Sequence, residues 1–409
     1  MLKAAEENKA DAIGMSGLLV KSTLIMKENL EEMNQRELST PVILGGAALT
    51  RRYVEQDLRS IYRGKVFYAN DAFDGLKLME SIKSGAQVEV NDQKNEAAVP
   101  EESLTGSEAK IALVLAEEDK VELIQQSAVN RMVPIPKPPF WGSKIVNDVS
   151  IDDVFSYIND IALIRGQWRI VKGKLSPEEY KKILDEKIYP EYNQLKARVK
   201  KDRLIEPKVA YGYFPCQSKG NDLIVYQPPS TVSKFEFKVS QLREWLRFSF
   251  PRQNDDRHLC IADYFASVES RRIDVVAFHL VTVGKVASEY SRKLYKANNY
   301  KDYLYFHGLS VESAEALAEL WHKRIREELG IAGKDAKEVK RLFAQGYQGS
   351  RFSFGYPACP NLEDQARLFK LIQPERIGVR LSDEFQLEPE QSTSAIIVHH
   401  PEARYFNIK

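Results

Sequence analysis

The alternation of short apolar runs with helical segments over residues 1–85 constrains the fold more than any other feature of this sequence. Apolar runs that end in small residues lie at 11–17, 41–48 and 65–70, and a segment with helical spacing follows each of them. Strands separated by helices of this length pair in parallel. Ligands of such sheets bind beyond the carboxyl ends of the strands. We therefore predict a parallel α/β sheet whose binding edge runs through Ser16-Gly17, Gly45-Gly46 and Asn70-Asp71-Ala72.

This first segment is too short to form a complete five-stranded domain. It begins with a helix, and three strands would leave one sheet edge and one helix face uncovered. We therefore expect residues 1–85 to be the later part of an α/β domain. The polar, acidic stretch that follows, residues 86–106, is typical of a linker.

Helices and strands segregate after the linker, which predicts a single α+β domain over residues 107–409 with an antiparallel sheet and flanking helices. Strands dominate between 207 and 282, and an amphipathic helix is expected to begin at Ser310 and end at Gly330. The spacing also predicts a helix at 107–127, a helix from Ser150 to Ala162, a helix from Ser176 that breaks at Pro190, and strands at 235–239, 259–262 and 405–408.

The stretch Arg351-Phe-Ser-Phe-Gly-Tyr-Pro-Ala-Cys-Pro360 concentrates a cation, three aromatic rings, one glycine and two prolines. We predict a loop between two elements, since Pro357 and Pro360 restrict φ and Gly355 tolerates unusual dihedrals. Such a loop suits recognition of a flat heteroaromatic ring and a carboxylate. The alternative is a connector stiffened by proline that packs its aromatic rings into the core.

Composition and charge exclude several classes of function. The formal net charge of +1 does not favour nucleic acid or an acidic membrane surface as the main partner. No apolar run approaches the roughly 18 residues that a membrane helix needs, the first residues do not resemble a signal peptide, and the three cysteines form no CxxC pair. A soluble cytoplasmic protein is therefore expected. The six histidines show no metal-binding spacing, so neither a metal site nor a catalytic residue is assigned.

Several motifs resemble cobalamin-dependent methionine synthase. Gly346-Tyr-Gln-Gly349 followed by Arg351–Pro360 is similar to the S-adenosylmethionine signature of that family, in which an arginine and a short spacer precede Gly-Tyr-Pro-Ala-Cys-Pro. Further likeness lies at Tyr213-Phe-Pro-Cys, Leu259-Cys-Ile-Ala-Asp263, Ala314–Glu319 with Trp321-His322, and His400-Pro401 ahead of Tyr405-Phe406. The resemblance implies that residues 107–409 form the activation domain, and that residues 1–85 form the second half of a flavodoxin-like, Rossmann-type cobalamin-binding domain.

The resemblance also implies which residues bind S-adenosyl-L-methionine. Arg351 would bind the methionyl carboxylate, main-chain groups of Ser353, Gly355, Tyr356 and Ala358 would bind the adenine, and the Tyr356 ring would lie beside the sulfonium. Glu315 would lie near the methyl donor, and Tyr405 with Phe406 would close the pocket. The family motif Tyr-Ile-Asp is here Tyr157-Ile158-Asn159, and an amide offers no Coulomb attraction to the ammonium group of the ligand.

For cobalamin the resemblance implies a partial site formed by Ser16, Val20, Gly45, Gly46 and Ala72, with Val20 in place of a hydroxyl residue. The family loop Asp-x-His-x-x-Gly, which supplies the lower axial histidine to cobalt, is absent, and the first histidine of the chain is His258. We therefore expect cobalamin to be held by a module upstream or in trans, with a flavodoxin-like protein as reductant.

The function implied is that of a reactivation module in a methyltransferase of methionine biosynthesis. It would bind S-adenosylmethionine and present its methyl group to reduced cobalamin. The homocysteine and folate modules are absent from the chain. Two alternatives stay open: a non-catalytic module that binds S-adenosylmethionine or docks on a corrinoid protein, and a truncated gene product.

Overall fold

The computed structural model describes residues 2–17, 20–46, 49, 51–69, 72–84, 127–173, 175–228, 242–255 and 257–408. The chain forms two compact units, Met1–Lys120 and Val121–Lys409. The predicted linker, almost all of the helix predicted at 107–127 and the strand predicted at 235–239 lie outside the described residues.

The smaller unit contains the predicted parallel sheet. Strands β1, β2 and β3 pair in parallel in that order, with Ser16 opposite Gly45 and Gly45 opposite Ala69. Helices separate the strands as the alternation predicted. The elements in chain order are α1 (Leu2–Glu7), β1 (Ile13–Ser16), α2 (Val20–Gln35), β2 (Val42–Gly45), α3 (residues 51–61, with a π-helical centre at Val54–Leu58), β3 (Val66–Ala69) and α4 (Ala72–Ser84).

A seven-stranded antiparallel sheet organises the larger unit. Its strand order is β7-β6-β5-β8-β12-β9, and β4 pairs with the first half of β5. The strands are β4 (Gly142–Val146), β5 (Lys208–Lys219), β6 (Asp222–Tyr226), β7 (Glu244–Ser249), β8 (Asp274–Thr282), β9 (Ser350–Ser353) and β12 (Ser392–Val398); β10 (Arg380–Leu381) and β11 (Leu387–Glu388) form a separate hairpin.

Helices cover both faces of this sheet. They are α5 (Ile151–Ser156), α6 (Pro177–Ile183), α7 (Tyr189–Lys201), α8 (Lys285–Lys296), α9 (Tyr300–Glu328), α10 (Val339–Phe343) and α11 (Asp364–Ile372), with π-helical turns at Ala162–Gln167 and Leu184–Ile188. Short 3-10 turns occupy Ile261–Tyr264, Val268–Ser270, Ala332–Lys334 and Pro374–Ile377. Among the described helices, none is both long and apolar enough to cross a bilayer.

The central strand β8 shows why two hydrophobic cores form. All nine of its residues are buried, and successive side chains point to opposite faces. Val275, Ala277 and Val281 join the core that contains α9, whereas Phe278 and Leu280 join the core that contains α11. A strand covered on both faces must be apolar almost throughout, and the continuous apolar run of β8 reflects this position.

Several predicted boundaries differ from the structure. The helix that begins at Ser150 ends at Ser156 rather than Ala162, and the chain stays helical through Pro190 because a π-helical turn directly precedes it. The long helix α9 begins at Tyr300, ten residues before the predicted start at Ser310. The strands predicted at 259–262 and 405–408 are wrong: the first lies at a 3-10 turn and the second is irregular chain.

A buried ion pair anchors the segment between α9 and β9. The Arg326 guanidinium lies 2.8 Å from the Asp335 carboxylate and 4.0 Å from the centre of the Tyr347 ring. Arg326 is fully buried, so Asp335 and Tyr347 supply the compensation that a buried cation needs. This contact holds the segment 331–347 against the end of α9, immediately before the strand that carries Arg351.

Candidate functional site

Arg351 lies on strand β9, not in a loop as predicted. β9 pairs with β12, and Arg351 is opposite Ile397. Side chains alternate along the strand, so Phe352 and Phe354 are buried while Arg351 and Ser353 are partly exposed on the other face. The strand thus directs the guanidinium toward α9, while Phe352 and Phe354 pack in the core as the alternative interpretation predicts and Tyr356 does not.

The loop proper is a closed turn over Tyr356-Pro357-Ala358-Cys359. The Cys359 N–H donates to the Tyr356 carbonyl at 2.8 Å, and the Gly355 N–H donates to the Cys359 carbonyl at 2.8 Å. Gly355 has φ of +88°, which glycine adopts without strain. Pro357 has no N–H and the Tyr356 N–H donates to Ser353, so in the described structure the turn leaves only the N–H of Ala358 without a partner among residues 355–359.

Two carboxylates on one face of α9 hold Arg351. Its Nη2 lies 3.2 Å from Oε2 of Glu315, and its Nε lies 3.5 Å from Oε2 of Glu319. Residues four apart on a helix lie one turn apart on the same face, which allows both carboxylates to reach one guanidinium. Glu319 is buried, whereas the Glu315 side chain is 44% exposed. Arg351 is therefore held by the buried Glu319 on one side and by Glu315 near the surface on the other.

Burial and neighbouring charges shift the protonation of this group in opposing directions. Burial alone would lower the pKa of Arg351, but Glu315 and Glu319 outweigh it and raise the pKa. Burial raises the pKa of Glu319, and Arg351 opposes that effect. Burial also raises the pKa of Glu312, to about 7, with a further contribution from Glu315. The site thus pairs one permanent cation with carboxylates of unequal acidity.

Tyr356 and Tyr405 line the exposed side of this arrangement. Their side chains are 52% and 40% exposed, unusually high for large aromatic residues. Burial raises the pKa of Tyr356, and the charge of Glu315 raises it further. The Tyr405 ring stacks on Phe352 at a centroid distance of 6.1 Å. Phe406, in contrast, is buried beneath them, so its side chain belongs to the core.

The structure commits the Asn159 side chain to a helix start. Its Oδ1 accepts from the N–H groups of Ile161 and Ala162 at 3.2 Å, as a capping residue does. The Asn159 N–H donates to Oε1 of Glu312 at 3.3 Å. Since Glu312 lies one turn from Glu315 on α9, Asn159 is brought to the same end of the site as Arg351.

A polar stripe along α9 escaped the sequence reasoning. Residues 312, 315, 319, 322 and 326 recur at the spacing of one helix face, and all except Glu315 are buried. The sequence signal for this stripe is the recurrence of polar residues at the three- and four-residue spacing of one helix face. His322 and the facing His279 are fully buried without partners for either ring nitrogen among the described residues, and burial lowers the pKa of both imidazoles, that of His279 to about 3. Both rings are therefore neutral.

The residues predicted for cobalamin lie at one edge of the parallel sheet. Ser16 and Gly45 end adjacent strands, Gly46 follows β2, and Val20 and Ala72 begin helices α2 and α4. The glycines have a structural reason: an added Cβ would lie 2.2 Å from the Gly17 carbonyl at Gly46 and 3.0 Å from the Ala69 carbonyl at Gly45. They allow the ends of β1, β2 and β3 to approach closely at this edge.

No cluster of three or more potential metal ligands occurs in the part of the chain that the structure describes. Cys216, Cys260 and Cys359 are unpaired and buried, and burial raises the pKa of the Cys359 thiol well above its usual range. Burial therefore keeps the Cys359 thiol protonated.

Comparisons with known proteins agree with this description. Residues 154–409 match the family model described as "Vitamin B12 dependent methionine synthase, activation domain". The whole chain aligns at 43% identity with the methionine synthases of Mycobacterium tuberculosis (strain ATCC 25618 / H37Rv) and Mycobacterium leprae (strain TN). It spans about a third of the length of these relatives, since each alignment covers 35% of the mycobacterial protein.

A solved structure is similar in fold. The structure titled "Crystal Structure of the MetH Reactivation Domain bound to AdoHcy" matches with a TM-score of 0.58 and 22% identity, over 68% of this chain and 84% of that one. Fold and site together define an α+β domain in which an arginine on the antiparallel sheet is paired with two carboxylates of a helix. The family match over 154–409 identifies it: the chain belongs to the family of vitamin B12-dependent methionine synthase activation domains.

Proposed function

We propose that the larger unit binds S-adenosylmethionine at the face formed by α9, β9 and the turn at Tyr356–Cys359. The observation that carries the proposal is the contact of Arg351 with Glu315 and Glu319 beside two exposed tyrosines. A guanidinium with fixed orientation suits a carboxylate, and a sulfonium suits carboxylates and aromatic faces. A ligand that carries all three groups matches the arrangement.

Most of the residues predicted for this ligand have a role in the proposal, whereas Phe406 belongs to the core and the Asn159 side chain caps a helix. Arg351 binds the methionyl carboxylate, for which its Nη1 has no partner among the described residues. Glu315 and Tyr356 flank the sulfonium, and Tyr405 covers the ligand. The main chain of Ser353–Ala358 binds the adenine; the unused N–H of Ala358 is the donor that the turn leaves for it.

The activity that we propose is the one that the family implies. The ligand would donate its methyl group to reduced cobalamin held by another module, after a flavodoxin-like protein has supplied an electron. The sulfonium and the reduced cobalt carry the reactivity, so this chain contributes proximity and orientation. No general base is required for this transfer.

For the smaller unit we propose a role in cobalamin binding. Its parallel order β1-β2-β3 agrees with the later part of a flavodoxin-like cobalamin-binding domain over residues 1–85, followed by a linker at 86–106. Ser16, Val20, Gly45, Gly46 and Ala72 would contact the nucleotide tail of the corrin at the carboxyl edge of the sheet. Equilibrium dialysis of the chain with cobalamin tests this; retention by the wild type but not by Ser16→Trp supports it, and no retention contradicts it.

Calorimetric titration with S-adenosylmethionine tests the main proposal. Wild-type chain should bind, and Arg351→Ala should weaken binding by about 1.5–3 kcal/mol, the value of a charge-assisted hydrogen bond. Arg341→Ala, which removes an arginine from the exposed surface of α10, is the matched control and should bind as the wild type does. No heat from the wild type, or equal affinity of both arginine variants, would reject the assignment.

A second assay distinguishes an enzyme module from a binding module. Chain, S-adenosylmethionine and chemically reduced cobalamin are mixed, and formation of methylcobalamin is followed by its absorbance. Turnover above the rate without protein supports the methyl-transfer role. Binding without turnover supports the non-catalytic alternative.

A further inference from the structure

The ligand proposed for this site carries an ammonium group, and the resemblance implies that it lies at Asn159. The ammonium group of an amino-acid ligand needs an anionic or accepting partner, and Asn159 carries an amide. The Asn159 oxygen is already used to cap the turn at Ile161 and Ala162. Asn159 therefore has little to offer an ammonium group through its side chain.

Glu312 lies where such a partner is needed. Its Oε1 accepts from the Asn159 N–H at 3.3 Å, and the residue is only 6% exposed. It lies one helical turn before Glu315, which contacts Arg351. The carboxylate and the ammonium of an α-amino acid are attached to one carbon atom. A ligand whose carboxylate binds Arg351 therefore presents its ammonium within reach of this turn of α9.

The charge of Glu312 is not neutralised by a neighbour. Among the described residues it forms no ion pair, and its one hydrogen bond comes from a backbone amide. The charged and titratable groups that act on it electrostatically are Glu315 on its own helix, Asp160 beside Asn159, Tyr192 on α7 and Arg351 on β9. Only Arg351 is a cation, and Glu315 and Glu319 already hold it. Glu312 is therefore a carboxylate at this site that has no cation paired with it among the described residues.

We infer that Glu312 is the specificity residue for the amino group of the ligand, supplying from α9 the carboxylate that Asn159 lacks. The inference rests on the proposed binding of S-adenosylmethionine. It adds to the proposed site a residue, Glu312, that lies outside the Arg351–Pro360 motif. It explains why an acidic residue is buried beside a helix start whose cap is already complete. It also explains how the site recognises a zwitterion without an aspartate at position 159.

The test compares two ligands that differ only in the amino group. S-adenosylhomocysteine and its desamino analogue, 5′-S-(3-carboxypropyl)-5′-thioadenosine, are titrated into wild-type chain, Glu312→Gln and Asn159→Asp/Glu312→Gln. The glutamine keeps an acceptor for the Asn159 N–H, so the fold is preserved. An aspartate at 159 caps a helix as well as asparagine does.

Wild-type chain should bind the amine-bearing ligand about tenfold more tightly than the desamino analogue, since a charge-assisted contact is worth roughly 1.5 kcal/mol. Glu312→Gln should lose most of this preference while its affinity for the desamino analogue stays unchanged. The double variant should regain the preference. Equal weakening of both ligands, or a preference that survives in Glu312→Gln, would overturn the inference and leave the proposed function intact. Failure of the wild type to bind either ligand would overturn both.

Discussion

The buried pair of Arg326 and Asp335 gives the most direct test of how the site is supported. Asp335→Ala leaves a fully buried guanidinium with the Tyr347 ring as its compensation. Breaking a buried pair by removal of one partner costs about 3–5 kcal/mol. The retained cation–π contact at 4.0 Å offsets part of this loss, so we expect the low end, about 3 kcal/mol.

Urea unfolding followed by tryptophan fluorescence measures this effect in the larger unit alone, because all four tryptophans, at 141, 168, 245 and 321, lie in it. Glu338→Ala breaks an exposed pair in the same segment and serves as control, with an expected change below about 0.5 kcal/mol. Arg326→Met combined with Asp335→Ala should recover part of the loss, since no unpaired charge then stays buried. A cost below about 1 kcal/mol for Asp335→Ala would refute the reasoning.

Two further predictions concern the same region. Gly349 has φ of +88°, and an added Cβ would lie 2.4 Å from the Val398 carbonyl, so Gly349→Ala should lower the free energy of unfolding by about 2 kcal/mol or more. Gly333 has open space around it, so the control Gly333→Ala should change the free energy of unfolding by less than about 0.5 kcal/mol. Equal values for the two variants in urea titrations would contradict this prediction. The pKa of Glu312 is raised to about 7, so its proton stabilises the folded state below the unfolded pKa and this contribution is lost as pH rises toward 7. The stability of wild type relative to Glu312→Gln should therefore fall by up to about 3 kcal/mol between pH 4.5 and 7.5, and a difference that is constant with pH would exclude the shift.

The smaller unit illustrates what periodicity can predict. Its strands and helices alternate along the chain, and small residues follow the apolar runs of its strands. The predicted elements match β1 to β3 and α1 to α4. The larger unit was harder because several of its features depend on tertiary contacts. Strand β9 is recognisable only once β12 lies beside it, since Arg351 and Ser353 give it no continuous apolar character. The π-helical turn before Pro190 likewise has no signal in the local sequence, where the proline predicts a break.

The sequence predicts those residues of the candidate site that lie in a contiguous motif and not the others. Arg351 and the turn at Tyr356–Cys359 are contiguous in sequence, so pattern and resemblance point to them. Glu319 and Glu312 contribute through position on α9, and a buried carboxylate in an apolar helix looks like any other acidic residue until the helix is placed. The capping role of Asn159 also required the structure, because the helix predicted over Ser150–Ala162 had no break for it to cap.

The site draws its walls from segments that are far apart in the chain. Glu312 and Glu315 precede Arg351 by more than thirty residues, and Tyr405 follows it by more than fifty, with the Tyr405 N–H donating to Gln345 and its ring lying on Phe352. During synthesis, therefore, α9 and β9 leave the ribosome well before the residues that close the site. A nascent chain can form the contacts of Arg351 with Glu315 and Glu319 early, but Tyr405 joins them only after the last part of the larger unit has been made.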